Sequence, residues 1–206
     1  NDFHRLAKVF TLEEEKYKDE VRMLTGVLSI RHVEALGYDQ HLIGGEPADP
    51  STIRQAVAAE RAKFDMVFLA DGLTSSEDGH PSQIARFEPL MVLTAFAMAT
   101  SRIGLAATAS TTYGEPFHLA RAFASLDHIS HGRAAWNAVT TSYASTGANF
   151  GIQHPAHADR YAIAEEFIDV VQQLWDSWED GAFPKDKTAG LYVDQSKRHT
   201  IDHKGK

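Results

Sequence analysis

Three apolar runs in this chain each end in side chains able to hold a small polar guest. Residues 64–70 deliver Asp71; residues 103–109 deliver Thr108, Ser110, Thr111 and Thr112; residues 133–139 deliver Asn137, Thr140, Thr141 and Ser142. A carboxylate with hydroxyl and amide groups suits orientation by hydrogen bonding, and no G-x-S-x-G elbow poises a serine for attack. Taken singly, Asp71-Gly72 and the Ser/Thr runs also suit turns and caps. Three successive strands ending this way favour a shared pocket. His157 and Tyr161 lie four apart at an expected helix start, on one face, where free N–H groups and the helix dipole favour an anion such as phosphate. The competing reading is that Asp159 and its neighbours cap the helix while the two rings pack at its end. His154-x-x-His157 lacks the H-E-x-x-H pattern of a zinc site, so no metal is assigned to it.

The elements that must position these residues alternate. Thr11 to Glu14 has capping-box spacing before an exposed charged helix, residues 27–30 are a weak strand, and residues 44–50 a loop. Asp49 and Pro50 suit the N-cap and first turn of a helix through Ile53, Val57 and Ala58. A buried strand over 64–70, a polar loop over 74–83, an apolar helix over 89–99 and a strand over 103–109 follow. Pro116 opens a helix through Leu119, Phe123 and Leu126. A strand spans 133–139, and an amphipathic helix over 157–178 turns Ile163, Phe167, Val170, Val171 and Leu174 inward. Trp136, Trp175 and Trp178 read as packing residues. This β-α order predicts an α/β fold with a parallel sheet, either doubly wound or a (β/α)8 barrel. There is no G-x-G-x-x-G or P-loop turn, and a full barrel needs about 250 residues.

Composition narrows the classes. The 206 residues carry 28 acidic against 20 basic side chains, a net charge of −8, 43% hydrophobic residues and no cysteine. Thiol catalysis, disulfides and Cys-ligated metal are excluded, and the charge balance argues against a nucleic-acid groove. No apolar run approaches the roughly 20 residues of a membrane span. A cytoplasmic enzyme or binding domain is the expectation.

Six segments then carry a family resemblance: residues 64–71 (FDMVFLAD), 103–108 (IGLAAT), 112–117 (TYGEPF), 120–130 (ARAFASLDHIS), 132–137 (GRAAWN) and 157–161 (HADRY). In order and spacing they resemble the bacterial luciferase-like flavin monooxygenases, in the nitrilotriacetate and dibenzothiophene-sulfone monooxygenase branch. The resemblance runs from about residue 64 to 206, within a partial (β/α) barrel domain over residues 49–206, while residues 1–48 match poorly. It implies a TIM barrel of which this chain supplies about the first half, as a fragment, a truncated product or a fold completed by another chain. It further implies reduced FMN as cofactor, dioxygen and a small organic substrate oxidised at a C–N or C–S bond. A separate NAD(P)H-dependent flavin reductase and a homo-oligomer are the implied partners. On the matching positions, Asp71, Thr108, His157 and Tyr161 are the implied flavin contacts, with Asn137 and Thr140 as weaker pocket candidates. Because the cofactor carries the chemistry, no catalytic side chain is assigned. The competing function is a non-catalytic half-barrel relative acting as a scaffold, and a barrel-class metal hydrolase is a third.

Overall fold

The computed structural model describes residues 23–24, 51–75 and 87–205. Its elements are β1 (Met23–Leu24), α1 (Ser51–Arg61), β2 (Met66–Leu69), α2 (Pro89–Ala99), β3 (Gly104–Ser110), α3 (Pro116–Ser130), β4 (Ala134–Val139), the short α4 (Thr146–Asn149), α5 (His157–Asp176) and a 3-10 turn at Gln195–Lys197. The four strands pair in parallel in the order β1-β2-β3-β4. Strand order following chain order, with α1 packed on α2, α2 on α3 and α3 on α5, is the winding of a barrel wall. A doubly wound sheet would reverse its order at a switch point. The described chain is therefore an arc of a (β/α) barrel. The capping-box helix, the strand over 27–30, the loop over 44–50 and most of the loop over 74–83 lie outside the described residues.

The period-2 rule assigns the two faces of the sheet. Val67 and Leu69 of β2, Leu105 and Ala107 of β3, and Ala134 and Trp136 of β4 pack into one core with Leu93, Phe96, Leu119, Phe123, Phe167, Val171 and Trp175 of the helices. The alternate positions Thr108, Ser110 and Asn137 therefore face the barrel interior. Trp136 is fully buried and meets Phe123, Phe167 and Trp175 at ring-centroid distances of 6.0, 5.9 and 6.5 Å, the last edge-on. Both buried indoles satisfy their N–H groups, Trp136 on the Ala109 carbonyl at 3.1 Å and Trp175 on that of Ala120 at 3.0 Å. Such contacts add about 0.5–1.5 kcal/mol per aromatic pair beyond area burial.

Local chemistry sets the helix ends. Glu88 caps α2 by accepting the Met91 N–H at 2.8 Å, with Pro89 in the first turn. His131 ends α3 in the left-handed region at φ 60°. Two helix faces differ from the sequence expectation. In α1 the buried positions are Ala56 and Ala59. In α5 they are Arg160, Ala164, Phe167, Val171 and Trp175, with Ile163 39% exposed, and the helix ends at Asp176. Small Ala side chains let these helices approach their neighbours closely, whereas the bulkier Ile163 faces outward.

Candidate functional site

At the carboxyl ends of β2, β3 and β4 a cavity of about 540 Å³ opens against the first turns of α5. Its floor is a cross-strand pair, since Thr108 and Asn137 stand in register and Asn137 Nδ2 donates to Thr108 Oγ1 at 3.0 Å. Both are at least nine-tenths buried, so their polarity is held inside the barrel and needs partners there. Asp71, just past β2, lies on the rim and accepts the Gly72 N–H with one carboxylate oxygen at 2.7 Å. Thr140 and Tyr143 form the wall after β4, and Tyr161 closes the α5 side.

Five of the six residues expected from sequence, Asp71, Thr108, Asn137, Thr140 and Tyr161, thus line one cavity. The sixth, His157, stands one turn before Tyr161 and packs its ring against the Tyr161 ring at 4.9 Å. The start of α5 carries Ala156 at its N-cap with no side-chain cap bond, and Asp159 stands in the first turn. Its leading N–H groups keep the anion-favouring character that spacing suggested. Sequence reasoning missed Tyr143, and also Ala164, Glu165 and Ile168 on the cavity side of α5. Counting three, four and seven residues on from Tyr161 would have found the last three.

The segment after β4 bridges the neighbouring loops. Ser145 Oγ meets Thr74 Oγ1 at 3.2 Å, and Asn149 Nδ2 donates to the Leu73 carbonyl at 2.9 Å. Phe150 stacks on Tyr113 at 4.6 Å. Gly147 makes this turn possible, because a Cβ there would stand 2.6 Å from the Ile152 carbonyl oxygen. His154 uses both ring nitrogens, Nδ1 with Tyr113 Oη at 2.5 Å and Nε2 with Arg160 Nη1 at 2.8 Å. Arginine only donates, so Nε2 accepts and the ring proton sits on Nδ1 facing the Tyr113 oxygen. Both nitrogens of His154 are thus engaged with protein groups. Among the described residues no group of three or more His, Asp or Glu converges.

Known proteins resemble this chain in sequence and in fold. Residues 25–199 match the family model described as luciferase-like monooxygenase. The chain is 56% identical over 151 residues to N-acetyl-S-(2-succino)cysteine monooxygenase of Bacillus subtilis (strain 168), covering 73% of this chain and 34% of that protein. It is 49% identical over 160 residues to nitrilotriacetate monooxygenase component A of Aminobacter aminovorans, covering 71% of this chain and 35% of that one. Among solved structures, riboflavin lyase with modified FMN and riboflavin superposes with a TM-score of 0.69 at 39% identity, over 75% of this chain and 37% of the lyase. The chain spans about a third of the length of these curated relatives. Parallel strands in barrel order, polar residues gathered at their carboxyl ends and a family match across most of the sequence together make this chain a member of the luciferase-like monooxygenase family.

Proposed function

We propose that the cavity is the flavin side of a reduced-FMN- and dioxygen-dependent monooxygenase acting at a C–N or C–S bond of a small organic substrate. The observation that carries the reading is the convergence of Asp71, Thr108, Asn137, Thr140 and Tyr161 on one cavity at the barrel's carboxyl end. The residues present fit a flavin. The volume lies within the range of cofactor sites. Hydroxyls and a buried amide match the polar edge of a flavin ring, and the α5 start, with no side-chain cap, suits a phosphate. Asp71 and Thr108 hold the ring side, Asn137 orients Thr108 and Thr140 borders the same space. Tyr161, backed by His157, holds the ribityl-phosphate side or the substrate entrance. When bound, reduced FMN supplies the electrons that activate dioxygen. The protein's share is orientation and exclusion of water, and no side-chain nucleophile is assigned.

A separate NAD(P)H-dependent reductase supplies the reduced flavin in this reading, and the name of the nitrilotriacetate relative, component A, supports a multi-component system. Assembly is as a homo-oligomer and the setting is the cytoplasm; among the described residues no helix is long and apolar enough to cross a membrane.

The test is anaerobic calorimetric titration of the 206-residue chain with reduced FMN. Saturable binding is expected, weakened about tenfold by Asp71→Ala or by His157→Ala, the loss of one charge-assisted or ring contact. Equal affinity in both variants would overturn the residue assignment. Absence of binding by folded protein would favour the scaffold reading.

A further inference from the structure

Past the ends of β3 and β4 the ladder between the strands is continued by side chains. Thr111 closes on the Val139 carbonyl with its N–H at 2.9 Å and its Oγ1 at 3.2 Å. Thr112 donates its hydroxyl to the Thr140 carbonyl at 2.8 Å. Ser110 Oγ accepts the Thr141 hydroxyl at 2.7 Å and the Thr112 N–H at 3.1 Å. Three consecutive residues on one strand end thus hold three on the next.

The last of the held residues is strained. Thr141 has φ 52°, in the left-handed region that a β-branched side chain disfavours. Such a conformation costs of order 1–3 kcal/mol and persists only where its surroundings over-determine it. Ser110 and Thr111 are at least nine-tenths buried, so water competes little for their bonds. The turn at Thr141 redirects the chain directly after Thr140 and before Tyr143, on a cavity wall that Ser110 and Thr141 themselves also border.

We propose that Ser110 is a positioning residue: by accepting the Thr141 hydroxyl it locks the left-handed turn that sets Thr140 against the cavity. Its consequence for flavin binding rests on the function proposed above. The lock itself is a property of this chain's own residues.

Two measurements on the 206-residue chain separate the two claims. Hydrogen exchange of the segment 138–144 is compared in the parent, Ser110→Ala, Thr141→Gly and Thr141→Ser, and the same four proteins are titrated anaerobically with reduced FMN. Thr141→Ser keeps the hydroxyl and should keep both protection and affinity. Ser110→Ala leaves the turn's own sequence intact but removes the acceptor of both the Thr141 hydroxyl and the Thr112 N–H, so it should speed exchange in 138–144 and weaken flavin binding about threefold to tenfold. Thr141→Gly should do the same without lowering the thermal midpoint, because glycine adopts φ 52° freely. A merely structural residue would make affinity track stability. Unchanged exchange in Ser110→Ala, or a Thr141→Ser as loose as Thr141→Gly, overturns the proposal. The predicted exchange pattern in a parent that takes up no flavin overturns the flavin reading and leaves the lock standing.

Discussion

Arg133 spends all five of its N–H donors on the end of the barrel away from the cavity. Nε donates to the Ser130 carbonyl at 2.6 Å, Nη1 to Thr100 Oγ1 and the Ile103 carbonyl at 2.9 Å each, and Nη2 to the carbonyls of Ala97 and Thr100 at 3.0 Å each. One cation thereby ties the last turns of α2 and α3 to the entry of β3, where helix dipoles favour positive charge. Burial pulls its pKa down and Glu60 opposes that pull. Lysine offers a single point donor group in place of the planar fork. Arg133→Lys should therefore lower unfolding free energy by about 2–4 kcal/mol in urea melts. Affinity for reduced FMN in protein that remains folded should not change, because conservation of the fold and service of the site are divided between opposite barrel ends. A lost affinity at preserved stability would contradict that division. The two ends also differed in legibility. Thr108 and Asn137 could be read because interior polar residues on an apolar strand stand out against their neighbours. Arg133 could not, since four of its five acceptors are backbone carbonyls, which every residue has and only the fold selects.

The elements from residue 51 onward follow the sequence pattern closely, and their connections are fixed by few groups. Glu60, in the last turn of α1, receives the N–H groups of Ser101 and Arg102 at 2.9 and 2.6 Å and that of Ile103 at 3.0 Å, with the Ser101 hydroxyl at 3.3 Å. Desolvation raises its pKa, but the bonds from Ile103, Arg102 and Ser101 outweigh it and hold the carboxyl at about 2. A carboxylate whose pKa is lower folded than unfolded stabilises fully above its unfolded value. That contribution fades as pH falls from about 4.5 towards 2. Glu60→Gln should lower stability by about 1 kcal/mol at pH 7, discounted for partial exposure, and the gap from the parent should close by pH 2. Urea midpoints across pH 2–7 measure it; a gap that persists at pH 2 would assign the loss to packing instead. Where elements were misread, the cause is local. In α5 the apolar count favoured Ile163, yet the helix serves two faces, one buried against the core through Phe167 and Val171 and one lining the open cavity through Tyr161 and Ala164. A single-stripe pattern represents only one of them. The four-residue α4 has no hydrophobic period to read, and it exists because the chain must turn back onto the loops after β2 and β3.

At the scale of the whole molecule the outer side of β4 governs association. Its odd-numbered residues serve β3: the carbonyls of Arg133 and Val139 accept from Leu105 and Thr111. By strand geometry the backbone groups of Trp136 and Ala138 point the other way, while the Ala134 N–H reaches Asp127 Oδ1 at 3.4 Å. Among the described residues no strand pairs with that side. The β4 sequence, AAWNAV, has no charge and no proline, the devices by which exposed edges usually resist pairing. An edge of this kind recruits another strand, and in a sample of this chain alone the available partner is a second copy. The 22.7 kDa chain should therefore give a light-scattering mass above that of one copy at micromolar concentration. Ala138→Pro removes an outward N–H and leaves the bonds to β3 in place, so it should shift the mass towards a single copy while far-UV circular dichroism stays that of the parent. A parent that elutes as a single copy, or an unshifted Ala138→Pro assembly, would place association on another surface, and the helix-covered outer wall would then be the face to mutate.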